Sequence, residues 1–252
     1  MIQTRVIPIL LLRNNGLVKT VKFSQAKYVG DPINAVKIFN DKEVNELILL
    51  DIESSKTGRK IDFEFLKEIA SEAFMPLCYG GGLKTMGEIE TVFRSGFEKI
   101  SLNSSALHNK TLVSDAAKYF GSQAVVVSID VKRNLLGQYQ VIDTSKNTSA
   151  GMDPVNHARE VSYLGAGEIL INSIERDGTQ IGYDLNLINR VATAVEIPII
   201  ACGGAGNLSH FREAVNAGAS AVAAGSMVVF HGKHRAVLIN YPLQSQLKQF
   251  LE

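Results

Sequence analysis

The sequence predicts an α/β chain folded as a closed (β/α)8 barrel, a TIM barrel, with a two-fold internal half-barrel repeat. Three observations predict it. Eight short apolar runs recur along 252 residues, each fit for a parallel strand buried on both faces. Segments with helical spacing lie between them, and the length matches the roughly 250 residues of one such barrel. Residues also recur at an offset of 122: Asp31-Pro32 with Asp153-Pro154, Glu46 with Glu168, Pro76 with Pro198, Gly81-Gly82 with Gly203-Gly204, Gly96 with Gly218 and Ser104 with Ser226.

In chain order, strand 1 is Val6–Leu12, interrupted by Pro8 and ended by Arg13, and an amphipathic helix at Pro32–Phe39 follows it. Strand 2 is Glu46–Asp51 with a helix at Phe63–Ala73; strand 3 is Met75–Tyr79 with a helix at Thr85–Arg94. Strand 4 is Lys99–Asn103. Strand 5, Ala124–Asp130, repeats strand 1, VVVSIDV against VIPILLL. Strand 6 is Glu168–Asn172; strand 7, Ile197–Cys202, leads to a helix at Phe211–Ala217; strand 8 is Ala219–Gly225. The half-barrels cover about 1–120 and 121–252 of a single domain, which sets strand 3 opposite strand 7 and strand 4 opposite strand 8. Arg13–Gly30 is long for a βα loop and reads as a lid.

Composition narrows the function. Twenty-six basic residues against 25 acidic ones leave no global field for nucleic acid or an anionic membrane. No apolar run approaches the roughly 20 residues of a membrane helix, and the N-terminal run makes a poor signal peptide. The chain reads as soluble and cytoplasmic. Cys78 and Cys202 are too few for a disulfide scaffold or a four-ligand zinc site. His231 and His234 can share a helix face but lack further ligands, so they read as solvated surface; neither metal nor cofactor is expected.

Active sites of such barrels lie after the C-terminal strand ends. Gly81-Gly82 and Gly203-Gly204 occupy twin places there, with Asn103-Ser104 and Gly225-Ser226 in the next loops. Glycines either relieve crowding or let backbone N–H groups approach an anion. Two sets in register favour two phosphate sites, one per half. Lys19, in the long first loop, can reach an anion or stay solvated. Of the carboxylates, Asp51 and Asp177 read equally as structural caps or as acid/base groups. At Asp130 strand 5 has little structural need of a carboxylate, which favours a general acid or base. Its repeat partner is Leu11, which transfers no proton. Cys202 reads as small-residue packing. Arg5, Glu46, Lys99 and Glu168 start strands 1, 2, 4 and 6 and can close a ring of salt bridges across the barrel bottom, for stability or as a gate.

The runs RVIP, GDP, ELILLDI, YGGGLKT, EKISLNSSA, FGSQAVVVSID, GAGEIL, SIERDGT-x-x-GYD and IPIIACGGAG make the chain resemble the cyclase subunit of imidazole glycerol phosphate synthase over nearly its whole length. The resemblance implies a (β/α)8 barrel, a substrate with a phosphate at each end, and a glutaminase partner docked at the bottom whose ammonia crosses the barrel. It also implies an ammonia gate, which Arg5, Glu46, Lys99 and Glu168 match one by one, and a partner-facing position, which Gln123 matches. The family's catalytic pair is an Asp on strand 1 and an Asp on strand 5. Here Asp130 is present and Leu11 stands at the first; Asn172 replaces a Thr and Cys202 a Ser. The segments LLLRNNGLVKTVKF, YVGDPINAVKIFNDKEVNELILLDI and VVFHGKHRAVLINYP resemble a branch of paralogues that accompanies a sugar amidotransferase in bacterial surface-polysaccharide (O-antigen, lipopolysaccharide) biosynthesis. That branch implies an ammonia conduit for acetamidino-sugar formation. A working cyclase of histidine biosynthesis and a non-catalytic scaffold that activates the glutaminase are the other readings.

Overall fold

The computed structural model describes residues 4–251. The eight barrel strands are β1 (Arg5–Arg13), β2 (Leu47–Asp51), β3 (Leu77–Gly80), β4 (Lys99–Leu102), β5 (Val125–Arg133), β6 (Glu168–Ser173), β7 (Ile199–Cys202) and β8 (Ala221–Ala224). All adjacent pairs run parallel; β8 pairs with β1 through Arg5 and Ala221, and β5 with β6 through Val126 and Glu168, so the sheet closes without an edge.

Eight principal helices follow the strands in turn: α1 (Pro32–Asp41), α2 (Phe63–Ser71), α3 (Met86–Arg94), α4 (Lys110–Phe120), α5 (Pro154–Tyr163), α6 (Leu185–Ala192), α7 (Leu208–Asn216) and α8 (Gln244–Leu251). Their starts explain the repeat. Asp31 accepts the Asn34 N–H and Asp153 the Val155 N–H, each ahead of a proline whose fixed φ suits a first turn. Asp62 and Asp184 cap α2 and α6 alike, and Thr85 and Asn207 cap α3 and α7.

Alternation along the strands divides the core. Outward residues such as Leu10, Leu47, Val127 and Ile171 pack under the helices. Inward ones, Ile7, Ile9, Ile48, Cys78, Val126, Leu170 and Ile200, form a smaller apolar cluster inside the barrel.

Two expectations are corrected. Arg13–Gly30 is an antiparallel hairpin, Gly16–Val21 with Ser24–Gly30, that continues β1 through Leu11–Val18 and Arg13–Gly16 pairs. β5 likewise runs past Asp130 to pair with Tyr139–Asp143. His231 and His234 share no helix: they sit exposed in a hairpin of Phe230–His231 with Ala236–Val237. Short helices at Ser54–Thr57, Ser104–His108 and Ser226–Val229 follow β2, β4 and β8.

Candidate functional site

A cavity of about 520 Å³ opens at the C-terminal ends of the strands. Inward positions reach it from every side: Leu11, Leu50, Gly80, Ser101, Asp130, Asn172 and Cys202 line it, as does Gly225 just after β8. Asp130 is buried at its centre. Its Oδ1 accepts from Asn172 Nδ2 at 2.9 Å and its Oδ2 from Asn103 Nδ2 at 2.6 Å. Burial pushes this carboxyl up to about 6, against the pull of the two amide donors. Leu11, half-buried on the opposite strand, brings only methyl groups. The parallel register sets Asn172 beside both Asp130 and Cys202. Burial raises the Cys202 thiol, which makes it a poor nucleophile. Ser101 and Ser128 share a buried 2.6 Å hydrogen bond above the apolar cluster. Both were legible by alternation from Lys99 and Asp130.

The two glycine sets differ in setting. Gly81 and Gly82 line the cavity with φ of 118° and 74°, and a Cβ on Gly81 would stand 2.3 Å from the Asp51 carbonyl. Asn103 and Ser104 line the same side. Gly203 and Gly204 stand behind the lining. A Cβ on Gly203 would meet Asn172 Oδ1 at 2.6 Å, and one on Gly204 the Gly182 carbonyl at 2.1 Å. Gly182 N–H also donates to the Gly204 carbonyl at 2.8 Å, so the segment 176–182 covers this pair. Gly225 and Ser226 remain on the cavity wall.

Lys19 descends from the first hairpin into this second side. Its buried Nζ donates to the Ile9 carbonyl and lies close to Gly225. Burial lowers the amine to about 8, and Asp177 pulls the other way. Asp177 lines the cavity too; Thr20 Oγ1 donates to its Oδ2 at 3.3 Å, and burial raises its carboxyl. Asp51 lines the cavity and also acts as a cap: it accepts from the Ser54 hydroxyl and amide and from the Glu53 amide, and pairs with Arg59 at 2.7 Å.

At the opposite end four charges close a ring. Arg5 Nη1 meets Glu46 Oε2 at 2.5 Å and Arg5 Nη2 meets Glu168 Oε1 at 2.9 Å. Lys99 Nζ lies 3.1 Å from Glu46 and 3.2 Å from Glu168. Gln123 is exposed at this end, before β5, as are the aromatic rings of Phe74, Tyr119 and Tyr163. Among the described residues no group of His, Cys, Asp or Glu could hold a metal, and no helix is long and apolar enough to cross a membrane.

Fold and site together define a closed (β/α)8 barrel with a carboxyl-centred mouth at one end and an ion-pair ring at the other. Residues 5–235 match the family described as histidine biosynthesis protein, and the chain belongs to that family. It is 50% identical, over 96% of its length and 97% of the relative's, to a Pseudomonas aeruginosa protein provisionally named imidazole glycerol phosphate synthase subunit hisF2. A Vibrio vulnificus protein provisionally named subunit hisF3 of the same synthase is 44% identical over 100% of this chain and 98% of its own. An Alkaliphilus metalliredigens protein named imidazole glycerol phosphate synthase subunit HisF is 43% identical over 92% and 91%.

Proposed function

We propose that this barrel is the synthase-type subunit of a glutamine-dependent amidotransferase system. A glutaminase docks over the ion-pair ring, and ammonia crosses the apolar interior to the mouth. In the leading reading the ammonia goes to a sugar amidotransferase that builds an acetamidino group for surface polysaccharide, and phosphorylated ligand binds at Gly81, Gly82, Ser104, Lys19, Asp177, Gly225 and Ser226. One observation carries it: the ring of Arg5, Glu46, Lys99 and Glu168 is complete, while Asp130 faces Leu11 across the mouth. Loss of one member of an acid/base pair removes about 10²–10⁴-fold in rate. An intact entrance beneath a mouth that lacks one member of the acid/base pair suits a conduit.

A second reading, a working cyclase of histidine biosynthesis, is favoured by Asp130 itself. Its carboxyl, raised to about 6, is suited to proton transfer near neutral pH, and the relatives carry the synthase name. The experiment is turnover of the cyclase's bis-phosphate substrate by the purified chain with excess ammonium, which bypasses the glutaminase. The conduit reading expects no turnover from folded protein. Turnover at ordinary enzyme rates would make the chain a cyclase.

A further inference from the structure

One side of the mouth's rim is rich in basic side chains. Lys56 in the helix Ser54–Thr57, Lys84 just before Thr85, His108 at the end of Ser104–His108, and Lys146 all line the cavity beside Gly81, Gly82 and Ser104. The residues 122 further on from Lys56, Lys84 and His108 are Gly178, Gly206 and Phe230, so the half-barrel repeat gives the other side no counterparts.

The neighbouring carboxylates are committed elsewhere. Asp51 holds Arg59, and Glu53 pairs with Arg13 at 2.6 Å. Glu88 Oε2 accepts from the backbone of Lys84 and Thr85. Asp143 is shared by His108 at 2.8 Å, Ser145 at 2.6 Å and Lys146 at 3.9 Å. Among the described residues Lys56 and Lys84 pair with no carboxylate, and both are exposed.

The far side is built differently. Lys19 is opposed by Asp177. Arg235 is outside the lining; it is tied to the Gly178 carbonyl at 3.2 Å and Ser226 Oγ at 3.5 Å, over the Phe230 ring. The segment 176–182 covers Gly204 there. Among the described residues the mouth thus has two lysines free of carboxylate pairs on the side of β2–β4, whereas on the side of β6–β8 Lys19 faces Asp177, Arg235 is held by Ser226 and a carbonyl, and the segment 176–182 covers the glycines.

We infer that the side of β2–β4 is a subsite for a pyrophosphate group, so that the ligand enters with a diphosphate ester at that end. A single phosphate is matched by Gly81, Gly82 and Ser104. Lys56 and Lys84, on separate loops after β2 and β3, bring two further charges that a second phosphoryl group neutralises. Lysine meets phosphate as a mobile point charge and needs no fixed fork geometry. The inference rests on reading this mouth as phosphate-binding and adds the charge of the ligand to it.

The test is calorimetric titration of the full chain with inorganic pyrophosphate and with inorganic phosphate, at fixed pH and ionic strength. Pyrophosphate is expected to bind about tenfold tighter than phosphate. The double variant Lys56→Gln/Lys84→Gln is expected to abolish that preference, and Lys233→Gln, a lysine of the outer hairpin turn, to keep it. The salt dependence for pyrophosphate should fall in the double variant alone. Equal affinity for the two anions, or a preference that survives the double variant, overturns the pyrophosphate subsite and leaves the phosphate reading standing. Binding of neither anion overturns both.

Discussion

Asp130 is a carboxyl held where its charge is penalised. Its folded value of about 6 stands above the unfolded value near 4. The native state therefore prefers the protonated form, and its contribution is full below about pH 4 and lost as pH rises through 6. Asp130→Asn removes the titrating group but turns one of its two acceptors into a donor facing Asn103 or Asn172; it is expected to flatten stability between pH 4 and 7, read by urea unfolding across pH. An unchanged profile would mean that another group titrates there. Lys19 works in the opposite sense: its amine is lowered to about 8, so its contribution is present at high pH and lost as pH falls through 8. Two groups that oppose stability near neutral pH in one mouth mark a place kept for binding or chemistry. Leu11 is the position to restore. If the rest of the mouth still fits the bis-phosphate substrate, Leu11→Asp should raise cyclase turnover above that of the parent by about 10²-fold or more. No rise in a folded variant would place the divergence in Asn172, Cys202 or the first hairpin as well.

Among the elements, the caps show how one residue type carries different weights. Asp62 caps α2 from an exposed site, whereas Asp184 caps α6 while buried and holds Tyr139 Oη at 2.8 Å and Arg133 at 3.0 Å. Asp62→Ala is expected to cost about 1 kcal/mol, as a lost cap does. Asp184→Ala should cost more, about 2 kcal/mol, because it also leaves the buried Tyr139 hydroxyl without its acceptor, while the exposed Arg133 keeps Tyr139 Oη and water. Thermal or urea unfolding of the two variants checks the order; equal losses would reduce Asp184 to a simple cap. The same elements explain what was legible. Each barrel strand announced itself as an apolar run between turns, and the register of the repeat put Asp130, Leu11 and the ring residues at the correct ends. The first hairpin did not announce itself. Its outer strand, Ser24–Gly30, is almost wholly exposed and shows no alternation. Its turn uses Lys22 and Phe23 at φ of 51° and 61°, left-handed positions where Asn or Gly is the usual signal. The preceding turn did carry that signal in Asn14-Asn15, hidden by the reading of a long loop. Lys56, Lys84 and His108 were invisible for another reason: only the closed barrel brings loops after β2, β3 and β4 to one rim.

At the scale of the molecule, charge stands at both ends of the barrel and an apolar layer lies between them. Ile7, Ile48, Cys78, Val126, Leu170 and Ile200 separate the ring from the mouth. Crossing such a layer costs an ion far more than a neutral molecule, so under the proposed conduit the species to cross is ammonia and not ammonium. The ring is also robust to change at Lys99, since Arg5 alone still contacts both Glu46 and Glu168. Lys99→Trp therefore fills the entrance while leaving each glutamate a partner. If ammonia crosses the barrel, this variant should keep its stimulation of the glutaminase and lose glutamine-dependent transfer, while transfer from added ammonium persists at the mouth. Lys99→Met, which opens the ring without filling it, should retain glutamine-dependent transfer and so separates blockage from loss of charge. Equal glutamine-dependent transfer by Lys99→Trp and the parent would mean that ammonia takes another route, and the barrel would act by activating its partner from outside.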